Sequence, residues 1–324
     1  MINDSNVCLE IDEVKLNNII YNFLGSKSII KKSYILNGGF FNTTYYVETT
    51  NPSKKMIIRI APENKELLFE YEKNMISIES SIYKKMSDIG IPTSKVIYED
   101  MSKKIIPREY LIIEYIDSIS MNKIELNNLQ KDRLNEQLGY YTEKIHSIKS
   151  NKFGWPSKND ELKKYDDWYD FLIAYTFEIK NKIEKYDIFD KSFTSDFEKS
   201  FIINKNLLQI NKKPSLVHND LWEPNILIDK DKNDNWNIKA IIDSDRVMYG
   251  DNEFEFVLWD MNESFKKGYK KDIDNTEKGI KRRLLYMLIT ATANAYIVKI
   301  QHNNIEGYNQ CFNWAKDLLN KLNK

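Results

Sequence analysis

Short apolar runs and one long helical period organise the first 117 residues of the chain. Residues 66–88 carry apolar side chains at helical spacing, and Gly90 followed by Pro92 is typical of a helix end. A shorter helix is predicted over residues 10–30. Five runs have the length and alternation of strands: Ser33–Leu36, Thr43–Thr49, Lys55–Ile60, Val96–Tyr98 and Glu109–Ile116. The pattern predicts an antiparallel sheet of about five strands with one large helix inserted.

The pattern changes after Asp117, where helical periods dominate. Two strand-like runs, Ile226–Asp229 and Ile238–Asp243, flank a turn rich in Asp, Asn and Lys. We expect an α+β fold with a small lobe of residues 1–117, a larger helical lobe of residues 118–324, and a hinge near Glu114–Ser120. Helical periods cover residues 125–149, 160–186, 194–211, 253–266, 277–300 and 305–323.

Composition and charge narrow the class of protein. The 324 residues include 48 Lys or Arg and 48 Asp or Glu, so the formal net charge is zero. With 42% apolar residues, this balance excludes a disordered chain, and it argues against a nucleic-acid partner. Cys8 and Cys311 are too few and too far apart for a disulfide scaffold or a metal cluster, so we expect two reduced thiols.

No segment has the pattern of a signal peptide or a membrane span. The first ten residues lack a basic start followed by an apolar stretch. The most apolar helical run, Leu284–Ile300, is shorter than the roughly 20 residues that cross a bilayer, and it contains Asn294. We therefore expect a cytoplasmic protein without a membrane partner.

The strongest chemical signal is the segment His218–Asn225, which directly precedes a strand-like run. Asp220 and Asn225 in this segment are followed at a distance by Asp243. Phosphoryl transfer uses such a set, because one carboxylate orients the acceptor hydroxyl and takes its proton. An Asn and a second carboxylate hold Mg²⁺ against the nucleotide phosphates. Protein kinases have the same order and spacing, H-x-D-x-x-x-x-N followed by a metal-binding Asp.

The chain resembles the aminoglycoside phosphotransferase and choline kinase family of small-molecule kinases. In that family the catalytic loop reads roughly H-G-D-x-x-x-x-N, and the metal motif reads I-D-x-x-x followed by G-D-P. The likeness extends over most of the chain, including Phe153-Gly154-Trp155. The corresponding residues are His218-Asn219-Asp220…Asn225 and Ile242-Asp243-Ser244-Asp245-Arg246…Gly250-Asp251-Asn252.

This resemblance implies a two-lobed, protein-kinase-like fold and assigns roles to three residues. By resemblance Asp220 is the catalytic base, and Asn225 and Asp243 are metal ligands for Mg²⁺. ATP or GTP would be the phosphoryl donor, bound in the cleft between the lobes.

The resemblance also implies a basic residue that clamps the nucleotide. Arg59 stands where the family has a Lys, and Arg keeps the charge and binds phosphate bidentately. The expected ion-pair partner of Arg59 is Glu79 on the predicted helix, with Glu72 and Glu70 as alternatives. An ordinary solvated helix face is the other interpretation of Glu79.

Two further segments of the small lobe are candidates for nucleotide contacts. The loop that contains Gly38, Gly39 and Asn42 would hold phosphates through backbone N–H groups, although Asn-Gly-Gly in a hairpin is also an ordinary turn. By resemblance, the backbone of Glu114 and Ile116 would hydrogen-bond adenine, which is compatible with an ordinary edge strand.

The remaining departures from the family and the three histidines have structural interpretations. Asn219 replaces the usual Gly, and Asn tolerates unusual backbone angles. Glu255 stands where the family often has an Asp that braces the loop. We expect His218 to brace the loop as well, His146 to be a core or capping residue, and His302 to lie on the surface.

These residues predict an ATP- or GTP-dependent kinase that uses Mg²⁺ to phosphorylate a hydroxyl of an aminoglycoside, a choline-like molecule or another metabolite. Because Arg59 replaces Lys, a catalytically silent nucleotide-binding protein is the alternative. A protein substrate is disfavoured, since too few residues separate Asp243 from Asp251 for a peptide-docking loop. We expect the acceptor pocket near residues 160–180 and 253–266. Acidic side chains there would suit a cationic acceptor, although acids are common throughout the chain: Asp166, Asp167, Asp170, Glu253, Asp260 and Glu263.

Overall fold

The structure, a computed structural model, describes residues 5–36, 41–158, 162–257 and 262–323. The strands of the small lobe are β1 (Ile29–Ile35), β2 (Thr43–Thr50), β3 (Lys54–Ile60), β4 (Val96–Asp100) and β5 (Tyr110–Glu114). They form one antiparallel sheet in the order β1-β2-β3-β5-β4, which confirms the predicted five-stranded sheet. Two helices, α1 (Glu13–Leu24) and α2 (Met75–Asp88), complete the lobe.

Alternation along β3 gives the sheet two different faces. Met56, Ile58 and Ile60 are buried in one core with residues of α1 such as Ile19. Because successive side chains of a strand point to opposite faces, Arg59 is turned away from this core and toward α2. The alternation of side chains along β3 therefore places Arg59 on the side of the sheet that faces the large lobe.

Helix α2 begins later than its period predicts. The predicted helix starts at residue 66, whereas the structure has two short 3-10 turns, Lys65–Leu67 and Tyr71–Asn74, before α2. The Tyr71 ring stacks on Trp155 of the large lobe with the ring centroids 3.9 Å apart. Contacts with the large lobe thus take precedence over the local helical pattern.

The large lobe is mainly helical. A π-helical turn, Ile297–Gln301, continues its longest apolar helix, and residues Asn252–Val257 form 3-10 turns where the sequence predicts α-helix. None of the helices in the described ranges is long and apolar enough to span a membrane. The helices are α3 (Asn128–Ser147), α4 (Trp168–Lys185), α5 (Lys191–Ile203), α6 (Lys205–Leu208), α7 (Glu263–Tyr269), α8 (Glu277–Tyr296) and α9 (Ile305–Leu322).

Short strands frame the loops that carry the chemical motifs. They are β6 (Ile119–Ser120), β7 (Ser215–Val217), β8 (Ile226–Lys230), β9 (Trp236–Ile241) and β10 (Met248–Gly250). One small sheet has the order β6-β8-β9, and β7 pairs with β10. Strand β9 ends two residues before the predicted strand does. Asp243 lies beyond this end with a φ of 64°, which is left-handed rather than extended.

Helices α3 and α7 approach closely enough to fix a buried polar contact. A Cβ atom at Gly268 would lie 1.8 Å from the carbonyl oxygen of Glu136, so only glycine fits at this crossing. The close approach brings the Tyr269 hydroxyl to 2.8 Å from Nδ1 of His146. His146 is therefore held in the core, as the sequence predicts.

Candidate active site

The catalytic loop, residues 218–225, follows β7 and is braced by Glu255. One oxygen of Glu255, Oε2, accepts the backbone N–H of His218 at 2.7 Å, and Oε1 accepts that of Asn219 at 2.8 Å. Nε2 of His146 lies 3.2 Å from the same Oε2. Asn219 has a φ of 63°, a left-handed conformation that Asn tolerates better than most residues. Glu255 therefore has the bracing contacts expected from the sequence.

Asp220 lines the cleft between the lobes, next to Asn225. Nδ2 of Asn225 donates to Oδ2 of Asp220 at 2.8 Å and to its backbone carbonyl at 3.0 Å. Burial raises the pKa of Asp220 to about 6, an increase that Arg246 opposes and Asp243 supports. The carboxylate can therefore accept a proton near neutral pH.

Asp243 is fixed beside this loop by its backbone. Its N–H donates to the Tyr83 hydroxyl at 2.9 Å, and the N–H of Ile242 donates to the carbonyl of Asn225 at 3.0 Å. Burial opposes ionisation here, but the adjacent Arg59 guanidinium holds the pKa of Asp243 below its ordinary value. Asp243 is thus an ionised carboxylate within the same cleft as Asp220.

Arg59 is the centre of a buried cluster of carboxylates. Its Nε lies 3.1 Å from Oε2 of Glu79, and its Nη2 lies 2.5 Å from Oδ1 of Asp243 and 3.3 Å from Oδ2 of Asp245. The side chains of Arg59 and Glu79 are 8% and 0% exposed. Since buried charges require partners, this cluster fixes the position of the small lobe's cation against the large lobe.

The alternative partners of Arg59 bind elsewhere. Oε2 of Glu72 accepts a hydrogen bond from Nε2 of Gln301 at 2.7 Å, and Glu70 forms an ion pair with Lys73. The surface prediction for His302 was wrong. Its side chain lines the cleft, because the π-helical turn after α8 carries this part of the chain inward.

Asp245 belongs to the site, although no role was predicted for it. Nδ2 of Asn42 donates to Oδ2 of Asp245 at 2.9 Å, so the phosphate-loop candidate and the metal motif are in direct contact. Burial and the neighbouring Asp243 raise the pKa of Asp245 well above its ordinary value. The feature of the sequence that could have identified Asp245 is its position two residues after Asp243.

Arg246 is the second residue that sequence reasoning left without a role. Its guanidinium lines the cleft and makes no salt bridge or hydrogen bond with the described residues. Burial disfavours its charge, but electrostatic attraction, chiefly from Asp220, holds the pKa of Arg246 above its ordinary value. The feature of the sequence that could have identified Arg246 is its position directly after the acidic residues of the metal motif.

Two of the remaining nucleotide candidates, Glu114 and Ile116, do not line the cleft of Asp220. Glu114 and Ile116 line a separate hollow of about 790 Å³ where the chain passes between the lobes. The backbone N–H of Glu114 donates to the carbonyl of Lys95 at 2.9 Å. Gly38 and Gly39 lie outside the described residues.

Asn225 and Asp243 provide the oxygen donors that Mg²⁺ prefers. Both hydrogen bonds that Asn225 makes through its side chain use Nδ2, so its Oδ1 is not hydrogen-bonded to any described residue. In the described ranges, no cluster of three or more His, Cys, Asp or Glu side chains could hold a metal ion. Mg²⁺ is usually held by one or two carboxylates together with phosphates and water, and the residues present fit that pattern.

The cleft has a volume of about 580 Å³, which is within the range of small-molecule sites. Its first wall, the charged wall, contains Arg59, Asp220, Asn225, Asp243, Asp245 and Arg246. Its second wall, the α8–α9 wall, is formed by the end of α8, the π-helical turn and α9. This second wall includes Asn294, Ile297, Val298, His302, Gln310, Cys311 and Trp314.

The acceptor pocket expected near residues 160–180 and 253–266 is not where the structure places the cleft. Asp167 accepts the backbone N–H of Tyr169 at 2.8 Å, and Glu253 accepts hydrogen bonds from Arg282 and Arg283. Among the other acidic candidates, Asp166 pairs with Lys152, Glu263 pairs with Lys266, Asp170 lies in the first turn of α4, and Asp260 lies outside the described residues. The described members of this set therefore cap helices, pair with cations or lie on a helix surface, and none lines the cleft.

Solved structures of kinases share the fold of this chain at low sequence identity. A protein from Thermobifida fusca YX-ER1, provisionally named a fructosamine-3-kinase, has a TM-score of 0.65 at 14% identity, covering 96% of this chain and 100% of its own. The gentamicin complex of APH(2")-IIa has a TM-score of 0.65 at 15% identity, covering 95% and 97%. Aminoglycoside phosphotransferase APH(4)-Ia with AMP-PNP and hygromycin B has a TM-score of 0.65 at 14% identity, covering 94% and 98%.

These likenesses confirm the two-lobed, protein-kinase-like fold. None of the curated protein sequences is similar enough to this one to count as a match. The profile of the phosphotransferase enzyme family, in contrast, matches residues 35–259, which are 225 of the 324 residues and include both chemical motifs. The chain therefore belongs to the phosphotransferase enzyme family, and it is a small-molecule kinase.

Proposed function

We propose that this protein transfers the γ-phosphoryl group of ATP or GTP to a hydroxyl group of a small molecule, with Mg²⁺ as the metal ion. The observation that carries the proposal is the convergence of Asp220, Asn225 and Asp243 in one cleft with Arg59. These residues come from three separate segments of the chain, and phosphoryl transfer requires their side chains together. A structural neighbour, APH(4)-Ia, is described with the nucleotide analogue AMP-PNP, which supports nucleotide use.

Asp220 would orient the acceptor hydroxyl and take its proton. A base with a pKa of about 6 is mostly ionised at pH 7 to 8 and still basic enough to hold a proton that leaves an alcohol. The Asn225 amide fixes the carboxylate through Oδ2, which leaves the acceptor hydroxyl the other oxygen, Oδ1. Most of the rate would come from this positioning, since the transition state of phosphoryl transfer needs little covalent help.

Asn225 and Asp243 would hold Mg²⁺, which neutralises phosphate charge when it is bound. Arg59 is held at the same point by Glu79, Asp243 and Asp245, which face its Nε and Nη2. Its remaining nitrogen, Nη1, would be the one left to bind a phosphate oxygen. The other candidate contacts remain predictions: phosphates with the backbone of Gly38, Gly39 and Asn42, and adenine with the backbone of Glu114 and Ile116.

An Asp220→Asn variant tests the proposal, because it keeps the size of the side chain and removes the base. We expect ADP release in the presence of an acceptor to fall by at least about a hundredfold. Thermal stabilisation by Mg·ATP should be retained, because Asp220 is not a nucleotide contact in this proposal. Asp196→Asn, the same change on α5 and away from the cleft, is the matched control and should retain full activity.

Wild-type-like turnover by Asp220→Asn would contradict the proposed role. A wild-type protein that Mg·ATP stabilises, but that phosphorylates no small molecule, would instead support the silent nucleotide-binding alternative.

A further inference from the structure

The α8–α9 wall carries no formal charge among its described residues. On α9 the lining residues Gly307, Gln310, Cys311 and Trp314 have the i, i+3, i+4, i+7 spacing of one helix face. Asn294 of α8 lines the same wall. The acceptor would therefore meet amide, aromatic and aliphatic groups on this side of the cleft.

The two titratable groups on this wall are neutral around pH 7. Burial, with a contribution from Arg246, lowers the pKa of His302 to about 3. Burial raises the pKa of the Cys311 thiol above its ordinary value, so the thiolate is disfavoured. Neither group supplies a charge to a bound molecule.

The described carboxylates that line the cleft all lie on the charged wall and already face cations. Asp243 and Asp245 contact Arg59, and Asp220 interacts electrostatically with Arg246. A molecule with several ammonium groups would have to bury them against amides and beside the Arg246 guanidinium. Such burial is strongly unfavourable without carboxylate partners.

The α8–α9 wall instead has the groups that bind a neutral ring with hydroxyls around it. Trp314 offers a flat apolar face, and Trp222, 49% exposed, offers a second one on the side of the catalytic loop. Gln310 and Asn294 each provide two N–H donors and one acceptor oxygen. Amides satisfy hydroxyl groups, which both donate and accept, without adding charge.

We propose that the acceptor of this kinase is an uncharged polyol with one apolar face, of the monosaccharide class, an assignment that rests on the function proposed above. The ring packs against Trp314, and Gln310 and Asn294 bind its hydroxyl groups while one hydroxyl is presented to Asp220. The uncharged wall excludes aminoglycosides and choline-like cations. Gln310 and Trp314 are specificity-determining residues.

The test is a comparison of acceptors with the full-length wild-type chain and Mg·ATP, in which release of ADP is measured. The neutral probes are D-ribose, D-glucose, D-fructose and myo-inositol, and the cationic probes are kanamycin, gentamicin and choline. We expect at least one neutral probe to have a kcat/KM about a hundredfold or more above every cationic probe. A ratio of this size is what we expect when a cationic probe must bury an ammonium group without a carboxylate partner.

Variants of α9 then test the residues named. Gln310→Glu places a carboxylate on the wall and should raise the KM of the neutral acceptor about five- to tenfold, since it replaces an amide donor. Trp314→Leu should also raise that KM. The matched control is Asn309→Asp, which adds the same charge at the neighbouring exposed position on the opposite face of α9. All three variants should keep the KM for ATP.

Each other outcome overturns the inference. Phosphorylation of a cationic probe more efficiently than any neutral one would contradict the acceptor class. Stabilisation by Mg·ATP without turnover of any neutral probe would overturn the acceptor class but not nucleotide binding. Neither stabilisation nor turnover would overturn the proposed function as well. If Gln310→Glu and Asn309→Asp changed the KM of the neutral acceptor equally, Gln310 would not be a specificity-determining residue.

Discussion

The two walls of the cleft are built on opposite principles. On the charged wall, Arg59 contacts Asp243 and Asp245 at 2.5 and 3.3 Å, and Glu79 contacts the same guanidinium at 3.1 Å. The α8–α9 wall is uncharged and is formed by one face of a helix together with a π-helical turn. In the proposed function, the first wall carries out phosphoryl transfer, and the second wall is the surface left for a particular acceptor.

This difference explains why the residues of the charged wall could be predicted from the sequence, whereas those of the α8–α9 wall could not. Phosphoryl transfer requires given residue types at given places, so the spacing of Asp220, Asn225 and Asp243 is informative by itself. Recognition of a neutral acceptor requires only shape and hydrogen-bonding groups. In the sequence, such a face is indistinguishable from the amphipathic stripe of any surface helix.

The largest expected effect is on stability, and it concerns the charged wall. Arg59→Met leaves the buried carboxyl groups of Glu79 and Asp245, and the partly buried one of Asp243, without their shared cation. The free energy of unfolding should therefore fall by about 3–5 kcal/mol. Urea denaturation measures this loss. The matched control is Lys31→Met, because Lys31 is 61% exposed in its ion pair with Glu48 and should contribute less than about 1 kcal/mol. Similar values for the two variants would show that the cluster is not the rigid element described.

The second effect concerns Glu72, which accepts a hydrogen bond from Gln301 at the end of the π-helical turn. Burial raises the pKa of Glu72 to about 7, so the folded state favours the protonated form. The resulting cost to stability is absent below the ordinary pKa of 4.5, develops above it, and is complete above pH 7.

Glu72→Gln removes this cost, because an amide can keep the acceptor oxygen without the charge. At pH 8 the variant should be more stable than the wild type by at most about 3 kcal/mol, and at pH 4.5 the two should be equal. Urea denaturation across this pH range provides the measurement. An unchanged difference between the two proteins at all pH values would show that Glu72 does not titrate in this window.

The third effect is on the pH dependence of the reaction. Because the pKa of Asp220 is raised to about 6, the base is lost to protonation as the pH falls through that value. We expect kcat/KM to fall about tenfold per pH unit below pH 6 and to be nearly level from pH 7 to 8. The residual kcat/KM of Asp220→Asn should not fall in this way below pH 6. If it did, the protonation that causes the fall would belong to another group.

Much of the fold could be predicted, because β1–β5 and the long helices of the large lobe, such as α3, α4, α8 and α9, show their periods. Strands β6, β7 and β10 have two or three residues and show no period at all. The start of α2 was predicted nine residues too early, since packing of Tyr71 on Trp155 determines that segment. Such contacts between distant segments leave no local pattern.

The residues of the site were also predictable only in part. The catalytic motif predicted Asp220, Asn225 and Asp243, whereas Arg246 was left without a role because its importance depends on a cleft that only the fold creates. His302 was predicted on the surface, because nothing near it in the sequence shows the π-helical turn that brings it inward. The acidic residues near 160–180 and 253–266 allowed two interpretations, a cationic-acceptor pocket or ordinary acids of a charge-rich chain. Asp166 and Asp167 illustrate the second, because they contact a cation and a helix N-terminus.

The most direct test of the account is a comparison of kcat and KM for Asp220→Asn and Gln310→Glu with the best neutral acceptor. The account predicts that Asp220→Asn lowers kcat at least about a hundredfold with KM nearly unchanged, because this residue acts in the transition state. It predicts that Gln310→Glu raises the acceptor KM about five- to tenfold with kcat nearly unchanged. If both variants changed the same parameter, or if Asp220→Asn kept its kcat, the separation of chemistry and recognition between the two walls would be contradicted.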